Sequence, residues 1–340
     1  MRSFIKRLLR PEGRGALLYI LSSLFLLFSA TLSLLLGSTS LSLEEIFEMA
    51  VNGDSTSVAA RILLYVRLPR TLGSLVCGGA LALSGAVIQG VLSNRLASPS
   101  VIGVNAGAAL AVTLCAAFGI VGGWRLSLLS FLGAFATVLV VSLGAKRWGA
   151  SRGTVILIGV SLNALLGAIS DTVTVFVPEI AVSGIDFKVG DFSSVTYVRL
   201  IPAGIVILAV SGILMTLQNE LSVLSLGEDN ARGLGLNTTL YRPLLLLFAA
   251  ALAGSAVSVC GLLSFVGLLV PHAVRRTMGS SKNLMPLCFL FGAAFVCLSD
   301  TVARVIFMPY EIPVGIIMSL FGAPFFILVL IRTKGGRSNA

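Results

Sequence analysis

The sequence predicts an all-α, polytopic membrane protein of about ten transmembrane helices in one compact bundle, and three observations carry that reading. Hydrophobic residues make up 56% of the 340 and charged residues only 11%, where soluble domains carry ~25% charged residues. Mean hydropathy is +1.02. Apolar stretches long enough to cross a bilayer recur along the whole chain, and no polar block between them is long enough to fold as a separate soluble domain. The expected organisation is a basic N-terminus over 1–15, one membrane domain over 16–331 that includes a polar loop at 220–242, and a basic tail over 332–340. The net charge of +10 sits in short loops and termini. It does not form the basic face on a soluble module that nucleic-acid binding needs, so the bilayer is the expected partner of this charge and nucleic acid is not.

The start, MRSFIKRLLRPEGR, carries five basic residues. The apolar run behind it, Ala16 to Gly37, is long enough to span and lacks a small-residue cleavage site, so it should remain as the first helix. Next comes an uncharged stretch of 24 residues from Thr71 to Asn94. It is rich in small residues (Gly73, Gly78, Gly79, Ala82, Gly85, Ala86), which let neighbouring helices approach its backbone closely, and Gln89 adds a polar group near its far end. Further helices are expected near 71–93, 100–121, 126–145, 154–177, 200–218, 285–307 and 312–331. The five cysteines (Cys77, Cys115, Cys260, Cys288, Cys297) all fall inside apolar segments. That placement argues against a disulfide framework or a metal cluster and for small packing residues.

Pro243 to Pro271 spans 29 residues without charge and with glycines at 254, 261 and 267, so it could be one long helix or two short ones joined by a break. Charge parity decides. With two crossings, 17 of the 24 Lys and Arg residues lie in cytoplasmic loops and termini, while 10 of the 14 acids lie outside, as the positive-inside rule asks. A single crossing would send Arg275, Arg276, Lys282 and the basic C-terminus to the wrong face. Two unusually short helices near 243–274 with both termini cytoplasmic follow, and such short helices must be buried by protein.

Several stretches carry polar residues whose spacing points to function. RLPR, Arg67 to Arg70, starts the small-residue helix, and arginines there either snorkel to the interface or face a partner. LSVLSLGEDNARGLGLN, Leu221 to Asn237, lies in the largest cytoplasmic loop and can form two short helices broken around Gly233 and Gly235. Glu228 and Asp229 would sit near a helix start, where the dipole favours acids. CGLLSFVGLLVPHAVRR, Cys260 to Arg276, holds the single histidine, His272. No Cys or acid lies at metal-ligand spacing from it, so a structural role is expected. In DTVARVIFMPYEIPVGIIMSLFGAPFF, Asp300 and Arg304 are four apart on one helix face, an intrahelical pair worth about 0.2–0.5 kcal/mol. Asp171 follows SRGTVILIGVSLNALLGAIS at the outer end of an apolar helix, either interfacial or lining a wet vestibule.

These motifs together, RxPR with GGALALSG and NxLAxP, the LGxxxAxxLG loop, GLLSFVGLLVPHAVRR and DxxAR…ExPxG…GAPFF, resemble the FecCD-type permeases of ABC importers for iron-siderophores, haem and cobalamin. The resemblance extends from about residue 60 to the C-terminus and implies a type II ABC importer permease of the bacterial cytoplasmic (inner) membrane. By that likeness Arg67, Arg70 and Arg304 meet acids of an extracytoplasmic binding protein. Leu226, Gly227, Glu228, Ala231, Leu234 and Gly235 belong to the loop that couples to cytoplasmic ABC ATPase subunits, and Asn94, Leu96, Arg152 and Gly153 fall at the cytoplasmic gate. A second permease copy or close paralogue completes the pathway. The resemblance implies no catalytic residue, no metal and no cofactor bound by this chain, ATP and Mg being used by the partner ATPase; accordingly no GxxxxGK[ST] loop occurs. The chain departs from the family at Asn94-Arg95-Leu96-Ala97, where NPLA is usual, at Phe187 to Gly190, and at Gly279 to Asn283. An ion-coupled secondary transporter would place ionisable residues at mid-membrane, and a membrane enzyme would need a catalytic constellation. The sequence supplies neither.

Overall fold

The computed structural model describes residues 11–37, 39, 57–120, 122–147, 152–278 and 283–335, and all regular structure among them is helical. Ten helices build the bundle: α1 (Pro11–Leu35), α2 (Val58–Val91), α3 (Val104–Ala117), α4 (Gly123–Arg147), α5 (Arg152–Phe176), α6 (Tyr197–Thr216), then α9 (Thr238–Cys260), α10 (Val266–Met278), α11 (Leu284–Val305) and α12 (Val314–Gly335). Between α6 and α9 lie two short helices, α7 (Gln218–Ser225) and α8 (Glu228–Gly233). Seven of these are long and apolar enough to cross a membrane by themselves, while α3 and α10 are shorter and the apolar part of α12 covers Val314–Ile327.

Helix α2 is the axis of the fold. Of the 24 residues from Leu68 to Val91, 20 are buried, because their small side chains admit α9, α10 and α11 to backbone distance. A Cβ on Gly78 would stand 2.5 Å from the Gly292 carbonyl oxygen of α11, and one on Gly85 would fall on the Gly267 backbone of α10. Ser84 Oγ donates to the Ala249 carbonyl of α9 at 2.7 Å, the kind of interhelical hydrogen bond that serves as polar glue in lipid.

Two expectations need correction. The helix expected to begin near Thr71 starts at Val58 instead, running through a five-residue π-helical turn, Leu63–Arg67, in which Leu68 N–H reaches back to Leu63 O. Pro69 has no N–H to offer an α-helical ladder, and a widened turn just ahead of it lets the helix continue while re-aiming Arg67. The second concerns 243–274. Two helices are present, but α9 has the full spanning length and only α10, with 13 residues, is short. At ~1.5 Å per residue α10 covers roughly 20 Å, well under a ~30 Å hydrocarbon core. The break is at Gly261 to Phe265, both with left-handed φ (+72° and +66°), and Gly254 is mid-helix. Its backbone is satisfied by another segment: Leu262 N–H donates to Phe187 O at 2.8 Å and Asp191 N–H to Cys260 O at 2.9 Å. That is how irregular backbone survives at membrane depth.

The cysteines are free and buried. His272 lies within α10 and is half-buried, with no group of three or more His, Cys, Asp or Glu placed to hold a metal among the described residues.

Candidate functional site

The two ends of α2 carry the polar constellations. At the first, Arg67 and Arg70 point into the bundle, only 2% and 4% exposed, together with Arg304 at 2%. Arg70 is the hub. Its Nε and Nη2 both donate to the Asp300 carboxylate of α11 at 3.0–3.2 Å, and Nη1 donates to Glu311 Oε2 at 2.6 Å. Asp191 Oδ1 stands 3.9 Å from Nη2. Asp300 is wholly buried and also pairs with Arg304 Nε at 3.3 Å, so the intrahelical pair read from sequence exists but shares its carboxylate with another helix. Arg304 Nη2 donates to Ser33 Oγ of α1 at 2.7 Å, and Ser33 in turn hydrogen-bonds Thr71 Oγ1. Arg67 donates to the carbonyls of Leu34 and Leu35 at 2.8 Å and of Thr39 at 2.5 Å. Gly37 makes room for it, since a Cβ there would lie 3.0 Å from Arg67 Nη2. Fork geometry and burial make these contacts strong. The three arginines expected to meet a partner are therefore engaged within the chain, and contact through them requires an exchange of partners.

At the other end, Gln89 Nε2 donates to Gly267 O at 3.1 Å and its Oε1 accepts from Arg275 Nη1. Arg275 also reaches the Ala86 carbonyl. Gln89 thus ties α2 to both the start and the last turn of short helix α10. Beyond it, Leu221 of α7 packs over Gly90, and Ser93 Oγ donates to Ser225 O at 3.2 Å. The expected break around Gly233 and Gly235 is displaced: α7 and α8 part at Leu226–Gly227, with Gly227 at φ +115°, while Gly233 ends α8 and Gly235, at φ +85°, turns the chain toward α9. Glu228 clamps this pair to the bundle through Arg242 of α9 at 2.6 Å, and within α8 it also pairs with Arg232 at 2.7 Å. Ala231 is buried, whereas Leu226 and Leu234 are 59% and 65% exposed. Two leucines on a rigid polar elbow offer apolar contact to something outside the chain.

The remaining sequence-predicted residues fall in the turn after α2 and on α5. Asn94 Oδ1 accepts from Leu96 N–H at 2.9 Å in the turn after α2, with Leu96 exposed. Arg152 and Gly153 open α5. Asp171 is exposed on α5. Sequence reasoning missed Asp191 and Glu311 as partners of Arg70, and Arg275 as the partner of Gln89. Glu311 was visible as part of ExPxG and Gln89 as a lone amide, but nothing in the sequence pairs residues 186 or 241 positions apart.

A model of the FecCD transport family matches residues 25–332. The chain belongs to that family. It is 33% identical to the ABC transporter permease protein YvrB of Bacillus subtilis, covering 99% of this chain and 100% of that one. With the hemin transport system permease protein HmuU of Yersinia pestis it shares 34% identity over 89% and 92% of the two chains. A solved metal-chelate type ABC transporter in an inward-facing conformation superposes with a TM-score of 0.81 at 31% identity, covering 93% and 99%. As a FecCD permease, the chain is the membrane component of an ABC importer, a family without an ATPase site of its own.

Proposed function

We propose that this FecCD permease carries a ferric siderophore or related metal chelate across the cytoplasmic membrane by alternating access, energised by two ABC ATPases and supplied by an extracytoplasmic binding protein. Haem or cobalamin import with the same architecture is the alternative. The observation that carries the reading is the position of both constellations on one buried helix: α2 joins the arginine end to the elbow formed by α7 and α8, so closure of a partner at one end has a packed route to the other. The relatives named for hemin transport and, at 32% identity, the iron-uptake permease FeuB of Bacillus subtilis support the substrate class.

In this reading Leu226, Gly227, Glu228, Ala231, Leu234 and Gly235 seat on the ATPase. Binding-protein docking occurs over Arg67, Arg70 and Arg304, and Asn94, Leu96, Arg152 and Gly153 form the cytoplasmic gate. The membrane domain runs over 16–331, with both termini cytoplasmic. Helix α5 is only 17% buried in its apolar stretch, and beside it an open cleft of about 440 Å³ is lined by Ser100, Asn105, Ala109, Val160, Asn163 and Leu262. An uncharged, mostly apolar face of this kind suits a pathway shared with a second copy or close paralogue, one that passes a bulky chelate without holding it.

Uptake by proteoliposomes containing the permease, its ATPase and its binding protein, tested with a ferric siderophore, haem and cobalamin, decides the substrate; iron-siderophore uptake is expected, and uptake of haem or cobalamin alone would overturn that choice. Orientation is tested with a single cysteine in place of Lys282, a position outside the described residues. It should react only from the cytoplasmic side, and labelling from outside would reverse the assignment.

A further inference from the structure

We propose that Glu311 is an internal occupant of a carboxylate site on Arg70, and that an acidic side chain of the docking binding protein takes its place. The inference rests on the docking reading above and adds a mechanism to it. A guanidinium presents two edges to carboxylates. On Arg70 the Nε/Nη2 edge is held by Asp300, which is fully buried and fixed on its other side by Arg304. Nη1 is held by Glu311 at 2.6 Å, and the Glu311 side chain is 30% exposed. The two acids on one arginine therefore differ in kind: Asp300 has no route out, whereas Glu311 can leave toward solvent.

Glu311 belongs to the segment between α11 and α12, residues 306–313, whose Phe307, Met308 and Tyr310 are 58%, 48% and 79% exposed. Removing Glu311 from Arg70 without replacement would leave a buried cation short of a counter-charge, which is costly. Replacing it by another carboxylate keeps the charge count and the hydrogen bond, so exchange is favoured over simple opening. The cluster balances Arg67, Arg70 and Arg304 against Asp300, Glu311 and the more distant Asp191, although among the described residues Arg67 itself has only carbonyl partners. Once displaced, Glu311 no longer ties residues 306–313 to α2, and the start of α12 gains freedom to move.

The test uses the purified complex of permease and ATPase with its binding protein. Glu311→Gln removes the competing charge while keeping the side chain's shape, and binding-protein affinity should rise on the order of tenfold, the scale of one hydrogen bond to a charged group. Glu311→Asp, too short to reach Nη1, should act in the same direction and serves if the first variant does not assemble. Arg70→Lys should weaken association. In a second readout, a membrane-impermeant maleimide should modify Tyr310→Cys faster once the binding protein is docked. If Arg70→Lys weakens binding but both Glu311 variants leave affinity unchanged or lower it, the exchange is wrong and docking stands. If Arg70→Lys and Arg67→Glu both keep wild-type affinity, the docking reading itself falls.

Discussion

The two ends of α2 are built from different physics. At the arginine end, charge holds four segments together: α2, α11, the 306–313 segment and, through Ser33, α1. The arginines and Asp300 are almost fully dehydrated, and none of these pairs can be removed alone without stranding a buried ion. At the Gln89 end the ties are an amide that bonds Gly267 and the half-buried Arg275, a serine hydroxyl and apolar contact of Leu221 over Gly90. Each is worth about 1 kcal/mol, and each can break and re-form without stranding a fully buried charge. A permease needs two packings of similar energy, and the difference suggests where they differ. The Gln89 end, next to the elbow of α7 and α8, can shift through small steps, while the arginine end changes only by trading one ionic partner for another.

Breaking the charged end should have the largest effect. Asp300→Ala leaves Arg70 and Arg304 without their shared carboxylate, a loss of about 3–5 kcal/mol. Little assembled permease should reach the membrane, as read by detergent-solubilised yield and thermal unfolding. Next in size is Gly85→Ala, midway along the helix. The new methyl group meets the Gly267 backbone, and overpacking of a tight interface costs about 1–3 kcal/mol. A lowered Tm is expected. An unchanged Tm would mean that α2 and α10 do not approach as described. Smallest is Gln89→Ala, which removes the amide link between α2 and α10 for about 1 kcal/mol. The comparison predicts nearly normal assembly with altered transport. If Gln89→Ala were as damaging as Asp300→Ala, the two ends would not differ in kind.

What was legible in the sequence follows a physical division. Apolar length and small-residue content showed the all-helical membrane bundle and the central role of residues 71–94, because helix formation in lipid and close approach depend on local composition. Charge parity favoured two helices over one after residue 243, and two are present, since the net bias of loops survives without knowledge of packing. The break at Gly261 was harder to place among three candidate glycines. What selects it is Phe187 and Asp191, distant residues that satisfy its backbone. The π turn before Pro69 was invisible for a similar reason: proline signals interruption, and only the surrounding bundle decides between ending a helix and widening it. Arg67, Arg70 and Arg304 were recognisable as important, but their burial was not. Whether an arginine near a helix end faces water or a carboxylate depends on partners hundreds of positions away, here Asp300 and Glu311 for Arg70. Gly235 was picked out from the loop pattern, and its φ of +85° with open space around it makes it a position where backbone conformation alone is at stake.

That property makes Gly235 the most direct handle on the central claim, that the elbow of α7 and α8 converts ATPase closure into movement of the permease. Gly235→Val places a β-branched residue in the left-handed region, a strain of about 1–3 kcal/mol confined to the elbow, without touching α2 or either polar cluster. The decisive measurement is simultaneous ATP hydrolysis and iron-siderophore uptake in proteoliposomes containing the full importer. The account predicts that the variant inserts and hydrolyses ATP but loses most uptake and most stimulation by the binding protein. Wild-type uptake with wild-type stimulation would contradict it.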